Sequence, residues 1–420
     1  MFKRITGTKD VLPEEAGWWQ KIEVISRNIF SLYNYQEIRP PLIEEALLFN
    51  RSLGKSSEIV QKQMFLVERE KEVYALRPEG TASVARAYIE NNLDKTTGFM
   101  KLYYIGPMFR AERPQKGRLR QFHHIGCEAI GSTEADLDVE IISLTDNLLK
   151  ALSISDYKIK INSLGCPKDK KALTQNLHIN LKDKLTKLCA ECHTRFKNNP
   201  LRILDCKNEQ CREVISKLDI QEAYLCPECK AHFSKVKEGL DSLNINYAVT
   251  PYLVRGLDYY TRTVFEVTHQ DLGSQDALGA GGRYDNLVSD LGGPNVGAMG
   301  FALGVERLLL VARCPLPVVR QNLVYLITLG EEAKIQGLKL LDNLRKNGIT
   351  SDTDYENKSL KGALRKANDL SARYVLIIGE DELKKNVVTC KDMVSGEQKE
   401  IKTESLINEL MTNDKIQNSK

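Results

Sequence analysis

Residues 110–124 read RAERPQKGRLRQFHH, five Arg or Lys against one Glu, set between runs rich in Tyr, Phe and Ile. Few folds accommodate such a tract. Pro114 and Gly117 mark a turn, and the flanks predict two strands, so residues 101–131 are expected to form a long β-hairpin with a basic tip. Side chains alternate between the faces of a strand. One face of the second arm is therefore expected to carry Arg118, Arg120, Phe122, His124, Gly126 and Glu128, and the other Leu119, Gln121, His123, Ile125, Cys127 and Ala129. The first set combines guanidinium forks for phosphate, an aromatic plate for a base and a carboxylate for a cationic group. The alternative is a solvated basic edge strand whose charges block aggregation.

The local charge of that tract, +4, equals that of the whole chain, in which 60 Lys and Arg face 56 Asp and Glu. So small a total permits a nucleic-acid partner only if the charge is clustered, as it is here. The 420 residues, 42% hydrophobic and 28% charged, suit two or three globular domains and exclude a disordered or fibrous chain. No apolar run reaches membrane-spanning length, and MFKRITGTKD lacks the apolar core of a signal peptide, so a cytosolic protein with no membrane role is expected.

Helical spacing of Trp18, Ile22, Ile25, Ile29 and Leu32 predicts a helix over 14–33, and Ile141, Leu144 and Leu148 predict another over 134–152. Residues 166–235 are rich in Lys and Cys and nearly free of Gly, as expected of an inserted, mostly helical subdomain. Nine of the 27 glycines then fall between Gly273 and Gly304, where backbone must approach closely. Residues 314–317 suggest a linker. Beyond it, a strand over 322–328, helices over 331–346 and 358–371 and a strand over 373–378 predict a small α/β domain. The expected divisions are 1–165, 166–235, 236–317 and 318–420.

Seven of the ten cysteines lie between Cys166 and Cys229, which in a cytosolic chain argues against a disulfide framework. Cys189-x-x-Cys192 and Cys226-x-x-Cys229 have the spacing of zinc knuckles and together would complete one tetrahedral four-thiolate site. Cys206, Cys211, His193 and His232 are further candidate ligands, and reduced thiols packed as small hydrophobes are the alternative. Two other patterns mislead. His124-Ile125-Gly126-Cys127 resembles the HIGH motif of class I synthetases but lies within a strand. The glycine stretch contains neither G-x-G-x-x-G nor GxxxxGK[ST], which opposes Rossmann and P-loop readings.

Taken together, these strings resemble the class II aminoacyl-tRNA synthetases. Residues 110–124 resemble motif 2, Gly300-Phe301-Ala302-Leu303-Gly304-Val305-Glu306-Arg307 resembles motif 3, and Arg39-Pro40-Pro41-Leu42 resembles motif 1. Leu253-Val254-Arg255-Gly256-Leu257-Asp258-Tyr259-Tyr260, Gly281-Gly282-Arg283-Tyr284-Asp285 and Arg77-Pro78-Glu79-Gly80-Thr81 resemble the signatures of the histidyl-tRNA synthetase family. The resemblance implies an α+β fold: an antiparallel sheet flanked by helices, motif 1 at a homodimer interface and a C-terminal α/β anticodon-binding domain. It implies that L-histidine and ATP, with Mg2+, form histidyl-adenylate, and that histidine then passes to the 3′ end of histidine tRNA.

By the same resemblance Arg110 holds the α-phosphate and the substrate carboxylate. Arg255 acts from the other side, doing the work of a metal in related enzymes. Arg118 and Arg307 grip the outer phosphates, Phe122 stacks on adenine and Glu112 holds the base edge. Glu79 and Thr81 bind the α-amino group, with Gly80 allowing close approach. Glu128, Tyr259 and Tyr260 read the imidazole. The loop residues Arg113 and Gln115 recognise the tRNA acceptor end, where histidine tRNA carries an extra 5′ guanosine. The family generally has glutamine where His124 stands, a substrate contact in the same strand face. The resemblance does not imply zinc. Glu79 could instead be a carboxylate at a helix start, where first-turn acids are common. A non-catalytic, histidine-sensing paralogue is the alternative function; such a chain is expected to lose the phosphate-binding arginines, the 113–118 loop or the C-terminal domain.

Overall fold

Six strands form the antiparallel centre of an eight-stranded sheet: Met100–Phe109, Gln121–Ile130, Ala298–Gly304, Ala277–Arg283, Thr261–His269 and Tyr157–Ser163, in that spatial order. Short strands Gln36–Glu37 and Tyr247–Val249 add in parallel at its two edges. This computed structural model describes residues 2–54, 57–115, 117–218, 220, 224–312, 322–356 and 358–415. The chain divides into two compact units, Met1–Pro315 and Leu316–Lys420. Among the described residues, no helix is long and apolar enough to cross a membrane.

The expected hairpin forms with Tyr104 opposite Gly126 and Leu102 opposite Glu128. Its alternation sorts the two faces of the sheet. Ile125, Cys127 and Ala129 pack with helices Pro13–Leu32, Ala135–Ala151 and Pro227–Ser242 in one apolar core, leaving the even-numbered side chains for the opposite face. The first of these helices buries a stripe centred on Ile22, Ser26 and Phe30, whereas Leu32, expected on the inner face, is 79% exposed. At 3.6 residues per turn, Ile22, Ser26 and Phe30 stack at i, i+4, i+8, and Leu32 falls on the far side.

Strands Ala277–Arg283 and Ala298–Gly304 carry five of the nine glycines of that stretch. Glycine weakens a strand unless something must approach its backbone. Here Gly300 lies opposite Glu128, and a Cβ on it would meet Glu128 Oε2, so the bare backbone leaves room for that carboxylate.

The insertion is helical, with α-helices Pro167–Leu181, Ala190–Asn198 and Glu209–Ser216 and short 3-10 turns at Lys182–Lys187 and Pro200–Ile203. The helix Pro227–Ser242 runs past residue 235 and lends Phe233, Val236 and Leu240 to the core against the sheet. A separate small sheet pairs Ile43–Glu45 and Phe65–Arg69 with Glu72–Leu76.

The second unit has a five-stranded sheet ordered Ser351–Thr353, Val324–Thr328, Tyr374–Ile378, Val387–Asp392, Gln398–Lys402; the first three strands are parallel and the rest antiparallel. Helices Glu331–Lys346 and Leu360–Asp369 fall where the periodicity predicts them. The closing hairpin was not legible: Gln398–Lys402 buries only Ile401, so its apolar alternation is too weak to read. The linker expected at residues 314–317 lies outside the described residues.

Candidate active site

The even-numbered face of Gln121–Ile130 opens into a cavity of about 970 Å³. Phe122 and His124 line it from the sheet, and Glu79, Gly80 and Thr81 from the start of helix Thr81–Glu90. Arg255, Tyr259 and Tyr260 line it from the segment before Thr261–His269, and Arg307 from helix Val305–Val311. Arg110, Glu112 and Arg118 belong to its wall. Sequence positions more than two hundred apart thus converge on one cavity, where Arg110, Arg118, Arg255 and Arg307 are joined by Arg195, Arg202 and Arg212 of the insertion.

Each of the first four is held by one or more of its nitrogens. Arg110 Nε donates to Pro78 O at 2.8 Å, and its guanidinium lies 5.3 Å from the Phe122 ring centre. Arg307 Nε donates to Gly117 O at 2.9 Å, and a second nitrogen donates to Ala277 O. Arg118 pairs with the buried Glu112. Arg255 Nη1 contacts Glu266 Oε2 at 2.6 Å, while its buried Nε has no hydrogen-bond partner among the described residues. Arg120, expected on the same face, does not line the cavity. Its Nε donates to Glu112 O at 3.2 Å and its stem packs on Gly7, because the chain is not yet in regular strand at this position.

Glu128 sits behind the cavity wall. Tyr284 OH donates to its Oε2 at 2.6 Å; Thr81 Oγ1 and Tyr104 OH donate to Oε1 at 2.7 and 3.3 Å. Burial raises its pKa to about 8 against the opposing pull of the Tyr284 and Thr81 hydroxyls. Thr81, Tyr104 and Tyr284 themselves line the cavity. Once Glu128 is ionised, the hydroxyls that donate to it have only lone pairs left and this wall presents acceptors; while it is protonated, its own O–H donates to one of its neighbours. Tyr104 and Tyr284 were missed as site residues. The pairing of Tyr104 with Gly126 was the available signal: a Cβ on either Gly126 or Gly80 would collide with the Tyr104 ring.

Glu79 behaves as the helix-start carboxylate considered above. Its two oxygens accept from Thr81 N at 2.7 Å and Ala82 N at 2.9 Å, satisfying donors that open the helix. It still lines the cavity, and burial raises its pKa, opposed by those two N–H groups and by Arg110.

His124 is held well below the usual imidazole range by burial and then by Arg110, Arg307 and Arg77. It is neutral near pH 7, and its Nδ1 has no hydrogen-bond partner among the described residues. His123, on the opposite face, is tied to motif 3: Glu306 accepts from its backbone N at 3.0 Å and lies 3.0 Å from its Nδ1. Arg283 is likewise structural, fully buried between Asp138, Asp285 and the carbonyls of Ser132 and Glu134. Arg113 and Gln115 are exposed on the hairpin loop, away from the cavity lining, and Lys116 between them lies outside the described residues.

The two Cys-x-x-Cys pairs do not form one site. Cys189 and Cys192 gather with Cys206 and Cys211, whereas Cys226 and Cys229 gather with Cys166 and Asp169. Spacing alone paired the knuckles, and the helices between them hold them apart. Neither His193 nor His232 joins either group; His232 lies 3.6 Å from the buried Asp138.

An antiparallel sheet with a basic hairpin, crossed by a glycine-rich strand that leads into the Arg307 helix, is the arrangement of a class II aminoacyl-tRNA synthetase. A family model described as histidyl-tRNA synthetase matches residues 7–308, and one described as anticodon binding domain matches residues 323–413. The histidine–tRNA ligase of Thermodesulfovibrio yellowstonii is 46% identical over 98% of this chain and 97% of its own length; that of Desulforamulus reducens is 43% identical over 96% and 97%. The crystal structure of apo S. aureus histidyl-tRNA synthetase superimposes with a TM-score of 0.81 at 34% identity, covering 97% of this chain and 99% of that one. The chain belongs to the histidyl-tRNA synthetase family.

Proposed function

We propose that this chain is a histidine–tRNA ligase that activates L-histidine with MgATP and transfers the histidyl group to the 3′ end of histidine tRNA. The observation that carries the reading is the convergence, in one cavity, of Arg110, Arg118, Arg255 and Arg307 with a wall of hydroxyls backed by Glu128. In the first step a carboxylate oxygen of histidine attacks the α-phosphorus. The bond to the bridging oxygen breaks, and pyrophosphate leaves with the electron pair. Negative charge grows on the α-phosphate, and preorganised cations there are the main source of acceleration.

Arg110 and Arg255 hold the α-phosphate and the substrate carboxylate from two sides. Arg118 and Arg307 take the outer phosphates, whose Mg2+ arrives with ATP. Phe122 stacks on adenine and Glu112 holds its amino edge, exchanging its pairing with Arg118 as the phosphates enter. The Thr81 hydroxyl and the Glu79 carboxylate receive the α-ammonium. Tyr259, Tyr260 and Tyr284 surround the imidazole, with Glu128 fixing the donor direction of the hydroxyls that face it; Gly80 gives the ligand close access and His124 contacts it from the strand. A site that must hydrogen-bond a polar ring rejects apolar amino acids strongly, so no editing domain is needed.

The exposed loop residues Arg113 and Gln115 address the acceptor end of the tRNA, and the second unit addresses its anticodon, in the cytosol. A homodimer is supported by the apolar residues exposed around motif 1: Leu42, Ile43, Leu47, Leu66, Val67 and Val73 are each 42–57% exposed. The phosphate-binding arginines, whose loss would mark a non-catalytic paralogue, are all present. ATP–pyrophosphate exchange measured with each of the twenty amino acids tests the reading: histidine alone should support it, and no exchange with any would overturn it.

A further inference from the structure

The cysteine groups of the insertion lie outside the chemistry described so far. The ligand atoms of Cys189, Cys192, Cys206 and Cys211 all fall within 4.8 Å of one another, and Cys189 Sγ and Cys206 Sγ are 3.9 Å apart. Four thiolates around tetrahedral zinc, at about 2.3 Å each, stand about 3.8 Å from one another. A disulfide requires about 2.05 Å, and all four cysteines are free thiols. Packing as small hydrophobes would bury these side chains without making four sulfurs from three separate segments converge.

Local structure aims them. Cys189 precedes helix Ala190–Asn198 and Cys192 lies in its first turn, so the pair wraps the helix start. Cys206 follows the turn Pro200–Ile203, and Cys211 opens helix Glu209–Ser216, which Asn208 caps. The backbone N–H of Cys189 points at Cys211 Sγ, 3.2 Å away, the kind of outer-sphere bond that orients a thiolate ligand.

The second group, Cys166, Asp169, Cys226 and Cys229, also lies within 4.8 Å and joins the starts of helices Pro167–Leu181 and Pro227–Ser242. Asp169 Oδ2 accepts from Cys166 N at 3.2 Å and Oδ1 from Cys226 N at 3.1 Å. That bracing fixes the carboxylate and leaves each oxygen a free lone pair for a metal.

We propose that the insertion binds two zinc ions, one in a closed site of four thiolates and one held by three thiolates and Asp169. Four protein ligands leave no open position, so both sites are structural. They nonetheless bear on the cavity. Cys189 and Cys206 line it beside Arg202, Leu204 and Asp205, and the Asp205 carboxylate interacts electrostatically with Arg255. Near the second group, Lys170 Nζ donates to Asp258 O at 2.9 Å and Tyr260 O at 3.0 Å. The first ion thus holds a wall of the cavity, and the second roots the insertion beside the signature segment. The sequence reading of a single four-thiolate site built from the two Cys-x-x-Cys pairs is revised accordingly.

The test is metal content by mass spectrometry on the full chain, purified without chelators from zinc-supplemented cells. About two zinc ions per chain are expected. X-ray absorption at the zinc edge should give between three and four sulfur ligands per ion. Cys206→Ser should lower the content to one, Cys226→Ser should do the same independently, and Cys390→Ser should leave it at two. If a serine variant fails to fold, stepwise thiol modification of the unmodified protein, with released zinc read by a metallochromic dye, replaces it; release should occur in two phases. Content near zero overturns the proposal. A single ion removed by Cys206→Ser but not by Cys226→Ser overturns the second site and upholds the first. A single ion removed by either variant overturns the two-site assignment.

Discussion

The Tyr284 hydroxyl donates to Glu128 Oε2 at 2.6 Å, on a carboxylate that is 1% exposed. The contact joins the Gly281–Asp285 signature to the second arm of the motif 2 hairpin across two intervening strand pairings. It makes Tyr284 a donor inward, which leaves its oxygen lone pairs toward the cavity.

Glu128→Gln therefore tests the wall. A carboxamide donates at every pH, whereas the carboxyl loses its proton above pH 8 and then only accepts, so the variant never gives all three hydroxyls an acceptor. Histidine-dependent exchange should fall about 10–100-fold near pH 9, where wild-type Glu128 is ionised, the worth of a hydrogen bond to a charged group. Stability should respond in the opposite sense. The pKa of Glu128 is raised to about 8 in the folded chain, so the protonated carboxyl is the favoured form. Wild-type stability from this group is intact below the unfolded value near 4.5 and is lost as pH rises through 8. The melting temperatures of variant and wild type should agree near pH 5, with the variant pulling ahead toward pH 9. A constant difference across that range would refute the buried titration.

Arg255→Ala should lower pyrophosphate exchange by about 100–1,000-fold, the usual cost of one preorganised charge contact. Binding of tRNA should be nearly unchanged, since Arg255 faces the cavity beside Tyr260 and forms its ion pair with Glu266. The variant leaves Glu266 without its cation, so Glu266→Gln is the control. A normal exchange rate in Arg255→Ala would remove the residue from the mechanism.

Gln115→Ala should impair aminoacylation more than adenylation, because Gln115 is exposed on the loop and absent from the cavity lining. A single base-edge contact is worth about 1–3 kcal/mol. The penalty should shrink on tRNA lacking its extra 5′ guanosine, and equal penalties on both tRNAs would exclude reading of that base.

His124→Gln introduces a side chain that both donates and accepts and does not titrate. The His124 imidazole is already neutral near pH 7, since burial holds its pKa far below 6.5. Its neutral form is the stable one, so any instability from this group develops only as pH falls below 6.5. Exchange by the variant should stay within about tenfold of wild type, the equivalent of one ordinary hydrogen bond. The pH profile above 6.5 should be unchanged, and a profile that shifts with the substitution would mean that His124 titrates in the working range.

Gly300→Ala should destabilise the protein by about 1–3 kcal/mol, the cost of overpacking a close-packed interior. The added Cβ would meet Glu128 Oε2 and the Cys127 carbonyl, the latter at 2.4 Å, and backbone cannot give way as a flexible side chain can. Thermal unfolding would show it; an unchanged midpoint would mean the strand shifts freely.

Local patterns alone determined a good part of this protein. The hairpin, the two long helices, the helical insertion and the α/β alternation after residue 322 follow from period and turn chemistry, which act over a few residues. The even-numbered face of the second arm was legible as far as Phe122, because strand alternation is a local rule; it failed at Arg120, where the strand has not begun. Tertiary structure decided what depends on register and on distant segments meeting. Tyr104 became part of the site because it pairs with Gly126, and Glu79 turned its carboxylate to its own helix start. Arg283, part of a signature string, was placed in the core rather than the cavity. The cysteines show the limit most directly. Spacing pairs Cys189-x-x-Cys192 with Cys226-x-x-Cys229, but ligand sets are chosen by three-dimensional proximity, and intervening helices bring Cys206 and Cys211 to one pair and Cys166 and Asp169 to the other.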